Sequence, residues 1–324
     1  MSSVNWGMIG CGDVAEKRNG PAFNKPADSN LVAVMRRDAE KAADYARRHN
    51  VSYWYNDADE MMKNKDINAI YIATPPAFHM AYALTALKKG FNVYVEKPVT
   101  RNAAEAREIA NAHKQYPNQK LTVAHYRRAL PLFLKVKQLL KDQMIGEPRT
   151  IQIRTWQCKN TSQNSEKNWV VQPELSGGGH FHSVAPHQID MMLFLFGEPE
   201  KYQGFSLNQS GLTAADDHVC GQILFKNNVV FNGSWCFNVA ENLTTDTCEI
   251  IGTKGKITFP FSGTYVSWKN ETDEQTLDFV YPQYAQEPMI EKIVAYFKDE
   301  GPNPSSIDEA VIVMEIMDAF TLKR

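Results

Sequence analysis

The sequence predicts an α/β domain built on a parallel sheet, followed by an α+β domain with an open, mostly antiparallel sheet. Three observations predict this. The first third alternates apolar strand-like runs with helix-like runs, the chain beyond about residue 125 is dominated by short β-like segments, and 324 residues exceed one ordinary hydrophobic core. The expected domains are therefore 1–124 and 125–324.

In the first domain, "VNWGMIG" is followed by a helical stretch, then "LVAVM", "DAEKAADYARRHN", "INAIYIAT", "AFHMAYALTALKKG" and "FNVYVE". This spacing is that of βαβ units. Asp38 stands where a helix N-cap is needed, and Gly90 where a left-handed residue would end the helix running from about Ala77. After "KLTVAHYRR" comes one more helix, "LPLFLKVKQLLKD", and then "RTIQIRTWQC", "HVCGQILF", "VVFNGSWCF", "DTCEIIG", "GKITF" and "TYVSW". Consecutive strands joined by Gly and Asn turns imply antiparallel pairing. The expected final helices, Glu287–Asp299 and Ile307–Leu322, are separated by the breaker "EGPNPSS".

A formal charge of −2 with dispersed Lys and Arg leaves no electrostatic footprint for nucleic acid or an anionic membrane, so a small-molecule partner is expected. There is no bilayer-length apolar run and no signal-like N-terminus, which reads as a cytoplasmic protein. Five cysteines form no C-x-x-C pair and are expected as free thiols, and no metal is expected.

Gly10-Cys11-Gly12-Asp13-Val14-Ala15 follows the first strand at once and is expected to open a helix. Such glycines let the main chain turn tightly against a pyrophosphate, whose charge a helix N-terminus favours; an ordinary tight turn is the alternative. At the end of the second strand, where an acidic residue commonly binds the ribose of NAD, stand Arg36 and Arg37. Guanidinium groups favour the 2′-phosphate of NADP, with NAD as the alternative if the pair is merely solvated beside the Asp38 cap.

Four further segments follow in order: "ATPPAFH" (73–79), "EKP" (96–98), "HYRRALP" (125–131) and "SGGGHFHSVAPHQID" (176–190). With the glycine turn, this set resembles the glucose–fructose oxidoreductase, inositol dehydrogenase and rhizopine-catabolism (Gfo/Idh/MocA) family over essentially the whole chain. The resemblance implies a Rossmann domain joined to an open-faced sheet domain, a homodimer or homotetramer, and hydride transfer between nicotinamide and a carbon of a sugar, cyclitol or related diol. It implies Lys97 as catalytic lysine and His187 as catalytic histidine.

The chemistry of the residue types agrees, because reducing a carbonyl needs a cation beside the oxygen and an acid of near-neutral pKa. Without the motif, Lys97 reads as a solvated strand end and His187 as a structural residue. Thr74, Pro75, His79, Glu96 and Lys97 are expected around the nicotinamide and its ribose. Tyr126, Arg127, Trp169, His182, Ser183, Asp190 and Tyr284 are expected to bind substrate; for Trp169 a core position is the alternative, and for Asp190 an ion pair elsewhere. His180 is expected at the sugar pocket or shaping the glycine-rich approach to it. Ser183 stands one turn before His187, where the family usually has aspartate, so no carboxylate there stabilises an imidazolium. Two rival readings are a redox-assisted glycosidase with tightly held NAD and a non-catalytic nicotinamide and sugar sensor.

Overall fold

The computed structural model describes residues 2–12, 15–158, 165 and 168–322. The first sheet comprises β1 (Val4–Ile9), β2 (Ser29–Met35), β3 (Tyr53–Tyr55), β4 (Ala69–Ile72), β5 (Asn92–Val95) and β6 (Leu121–Val123), ordered β3-β2-β1-β4-β5-β6. All neighbours run parallel, so every carboxyl end lies on one edge and the strand order reverses between β1 and β4. β4 and β5 are buried along their whole length, as strands covered on both faces must be, and their apolar runs follow from that.

The accompanying helices are α1 (Ala39–His49), α2 (Ala58–Met61), α3 (His79–Lys88) and α4 (Ala103–Gln115). Asp38 caps α1, its carboxylate accepting from the Lys41 N–H at 3.2 Å. Gly90, at φ +89°, closes α3 by donating to the Leu87 carbonyl at 3.0 Å. The expected helix after the glycine turn is corrected. Ala15–Asn19 forms a single π-helical turn and Gly20–Asn24 a 3-10 turn, because Pro21 has no N–H with which to continue an α-helix.

The second sheet follows α5 (Pro131–Lys141). In chain order come β7 (Pro148–Trp156), α6 (Pro173–Ser176), α7 (Gly179–Phe196), β8 (Pro199–Leu207), β9 (His218–Phe225), β10 (Val230–Cys236), β11 (Thr245–Gly252), β12 (Gly255–Phe259), β13 (Tyr265–Asn270) and β14 (Glu274–Asp278). The sheet order is β14-β13-β12-β11-β7-β10-β9-β8, antiparallel except for the β7–β10 pair. One face carries the buried Ile151, Ile153, Val219, Phe231, Trp235 and Ile250. The opposite face alternates polar residues with the exposed Phe205, Leu207, Val230, Ile251 and Tyr265.

α8 (Glu287–Phe297) and α9 (Ile307–Phe320) close the described chain. The expected single cut near residue 125 is corrected. One compact unit comprises 1–127 with Pro282–Ile312, and the other comprises Arg128–Tyr281 with 313–324. The returning segment belongs to the first core because α8 completes an aromatic cluster there: the Phe297 ring lies 5.5 Å from Trp6, which also packs on Phe23 and Tyr94. Beyond α8, Ser305 continues this attachment, its carbonyl accepting from the Val123 N–H and the Thr122 hydroxyl, both at 3.0 Å.

Candidate active site

The first unit gathers its candidate residues on the carboxyl edge of the parallel sheet. Gly10 has φ +99°, and a side chain there would meet the Ala73 carbonyl oxygen at 2.8 Å, so only glycine permits this turn. At Gly12 an added Cβ would meet nothing within 4 Å, leaving the main chain open to a ligand. Cys11 between them turns its side chain inward, where burial pushes the thiol up to about 11. Its part in the turn is therefore its main chain, whose carbonyl accepts from Arg36 Nη1 at 3.3 Å. Arg37 is exposed and lies over the Phe78 ring at 5.3 Å. Asp13 and Val14 lie outside the described residues.

Thr74 and Pro75 follow β4 on the same edge. The Thr74 hydroxyl oxygen is buried without a hydrogen-bond partner among the described residues. A tight glycine turn, an open main chain beside it and an unsatisfied buried hydroxyl fit a dinucleotide, the first two at its pyrophosphate and the third nearer its nicotinamide end. His79 is a strut between two loops on this edge. Its buried ring meets the Thr74 carbonyl at 2.7 Å through Nε2 and the Pro98 carbonyl at 3.0 Å through Nδ1, so it ties the loop after β4 to the loop after β5. Burial holds its pKa below the ordinary imidazole value despite these contacts.

Glu96, at the end of β5, is also inward-facing. Its Oε1 accepts from the Tyr71 hydroxyl at 2.6 Å, Asn19 Nδ2 at 3.2 Å and Gln286 Nε2 at 2.5 Å. Its Oε2 accepts from the Lys97 N–H at 3.1 Å. Lys97 therefore begins its loop from a fixed main chain, with a cis Lys97–Pro98 peptide following. Neither Asn19, Tyr71 nor Gln286 was legible as a site residue, since neutral hydrogen-bonding groups carry no motif. After β6, Tyr126 is buried with Arg127 6.0 Å from its ring, and Tyr284 precedes α8 in this same unit.

The second unit contributes α7. The helix starts at Gly179, so His180, Ser183 and His187 recur at helical spacing along one stripe, with Ser183 one turn from His187. Pro186 lies inside this helix. Proline removes one intrahelical bond but is tolerated because side chains bind the helix to the sheet: Gln188 Nε2 donates to the Thr155 hydroxyl at 2.7 Å, and its Oε1 accepts from Trp235.

Of the two roles open to Asp190, the structure shows the ion pair. Arg128 donates to its carboxylate through Nε at 3.0 and 3.1 Å and through Nη2 at 2.6 Å, with side chains 5% and 1% exposed. His182 is fully buried, its ring 5.6 Å from that of Phe181. Trp169 is 38% exposed, which excludes the core alternative. All five cysteines are free. Among the described residues, no cluster of three or more His, Cys, Asp or Glu is arranged for a metal, and no helix is long and apolar enough to cross a membrane.

A glycine turn and a lysine on one edge of a parallel sheet, in a chain that also carries a large open sheet, define a two-domain nicotinamide-dependent oxidoreductase. The chain belongs to the Gfo/Idh/MocA oxidoreductase family: residues 4–125 match its NAD-binding Rossmann-fold domain and residues 133–258 its C-terminal domain. It is 46% identical over 321 residues, 98% of each chain, to oxidoreductase P35 of Formosa agariphila. Levoglucosan dehydrogenase of Pseudarthrobacter phenanthrenivorans is 26% identical over 295 residues, 81% of this chain and 74% of that one. A solved levoglucosan dehydrogenase in complex with NADH and levoglucosan superposes with a TM-score of 0.85 at 23% identity, covering 98% of this chain and 96% of that one, which bears on the fold.

Proposed function

We infer that this oxidoreductase transfers hydride between NADP and a carbon of a sugar, cyclitol or related diol. One observation carries the reading. Gly10, Gly12, Thr74 and Lys97 share one edge of the parallel sheet, where such sheets bind their ligands. The nicotinamide, when bound, supplies or accepts the hydride. The Gly10–Gly12 main chain holds the pyrophosphate, together with Asp13 and Val14; Thr74, Pro75 and Lys97 border the nicotinamide end.

Lys97 donates to the substrate oxygen and stabilises negative charge developing there. His187 gives that oxygen its proton in reduction and removes it in oxidation. Ser183 supplies a hydroxyl where the family commonly has a carboxylate, so the histidine works without a neighbouring negative charge at that position. Tyr126, Arg127, Trp169 and Tyr284 are the candidate substrate contacts. NADP preference rests on Arg36 and Arg37, of which Arg37 is the more exposed residue.

The open face of the second sheet supports a homodimer or homotetramer, since Phe205, Leu207, Val230, Ile251 and Tyr265 are exposed on one side. Light scattering tests it.

The deciding experiment identifies any nicotinamide released on denaturation, titrates NADPH and NADH by fluorescence, and screens levoglucosan, cyclitols and cyclic diols for turnover. Readily exchanged NADPH, bound more tightly than NADH, supports the reading. Tightly retained NAD overturns the arginine argument and favours the redox-assisted glycosidase instead. Lys97→Ala or His187→Ala is expected to lower kcat by about 10²–10⁴-fold with far smaller change in cofactor affinity. Wild-type turnover in either variant removes that residue from the mechanism.

A further inference from the structure

We propose that Gln286 is a positioning residue for Lys97, acting through the Glu96 carboxylate; this rests on the role given to Lys97 above. Gln286 precedes α8, yet its side chain reaches the carboxyl edge of the parallel sheet and is 2% exposed. Its Nε2 donates to Glu96 Oε1 at 2.5 Å, while its Oε1 accepts from the Tyr94 hydroxyl at 2.7 Å. Only a side chain that donates at one end and accepts at the other satisfies both neighbours.

The direction of every hydrogen bond in the cluster is fixed. Tyr94 donates to Gln286, Gln286 donates to Glu96, and Tyr71 and Asn19 donate to the same Glu96 oxygen. Asn19 also donates to the Tyr71 hydroxyl, which is free to accept because its proton points at Glu96. The other carboxylate oxygen is left for the Lys97 N–H. Gln286 thus keeps the carboxylate from rotating, and the carboxylate fixes the main chain from which the Lys97 amine is presented. Asn19, in the turn after the glycines, extends the same network toward the cofactor loop.

Replacing the amide by a carboxyl makes this a pH-dependent contact. Two facing carboxylates retain a proton between them that ordinary carboxyls would lose. The other titratable groups facing the cluster are Tyr71 and Tyr94, both pushed well above the ordinary tyrosine range by burial, Tyr45 beside Tyr71, His79, pushed down by burial, Tyr126 beside Tyr94, and Lys97, whose N–H meets Glu96. Gln286→Glu is therefore expected to behave like the parent near pH 6 and depart from it near pH 9 as the shared proton is lost.

The test is reductive methylation of the full-length protein with added NADPH, read at Lys97 by mass spectrometry and normalised to the exposed Lys114 in the same sample. Gln286→Met is expected to change Lys97 labelling by about threefold or more at both pH values, since lysine reactivity follows its local environment closely. Gln286→Glu is expected to do so only at pH 9. Tyr94→Phe, the milder change, releases the far end of Gln286 and is expected to shift labelling in the same sense by less; it keeps the test open if Gln286→Met does not fold. Parental Lys97 labelling in every folded variant overturns the proposal. Turnover of Lys97→Ala, measured in parallel, separates the two failures. An inactive Lys97→Ala with unchanged labelling overturns positioning alone, whereas an active one overturns the role of Lys97 and the proposal with it.

Discussion

Two buried carboxylates, one in each unit, are neutralised in opposite ways. Glu96 is held by four neutral donors drawn from four parts of the first unit, while Asp190 is gripped by a cation, the bidentate Arg128 guanidinium. A shared set of neutral donors degrades one bond at a time. A bidentate charge partner fails all at once, because removing it takes the opposite charge away from a buried carboxylate. The first arrangement suits a residue whose orientation matters, and the second suits an anchor between α7 and the chain entering the second unit.

The largest expected effect breaks the anchor. Arg128→Met should destabilise the second unit by about 3–5 kcal/mol, read by chemical denaturation, and adding Asp190→Leu should restore much of it. A loss under about 1 kcal/mol would show that the pair contributes as an exposed bridge does. On the other side of the comparison, Tyr71→Phe removes one donor of four and should cost about 1–2 kcal/mol, leaving the Lys97 N–H contact in place. An equal loss from both variants would erase the contrast.

The smallest effect concerns the turn after the glycines. Glu16 accepts from Arg48 at 2.9 Å and contacts His49 at 2.8 Å, and these hydrogen bonds, Arg48 first, hold its carboxyl down at about 2. A depressed carboxyl stabilises the fold above its unfolded pKa, and that contribution is lost as the pH falls from about 4.5 towards 2. Glu16→Gln should therefore flatten the acid limb of a plot of thermal midpoint against pH. An unchanged acid limb would mean that the contact does not outlast solvent screening.

The parallel sheet was legible because alternation of strand and helix periods, the Asp38 cap and the Gly90 stop are local signals. The glycine turn was legible for the same reason, while the helix expected after it was not, since Pro21 ends it within one turn. The return of α8 to the first unit was illegible. Its apolar stripe specifies that one face is buried but not against which sheet, and the partner ring, Trp6, lies near the other end of the sequence. Asp190 was left open between two roles because its partner, Arg128, is 62 positions away. His187 and Lys97 were visible only through ordered motifs, whereas Gln286, an ordinary amide before a helix, offered no signal at all.

The discontinuity of the first unit also orders its assembly in time. During synthesis the six parallel strands emerge first, but Gln286 and Phe297 leave the ribosome only after the whole second sheet has been made. Until then the Trp6 cluster lacks one ring and Glu96 lacks one of its four donors. The half that carries the glycine turn thus stays incomplete until the second sheet has been made, and a nascent chain stalled before residue 282 should be open to protease at its nucleotide-binding edge.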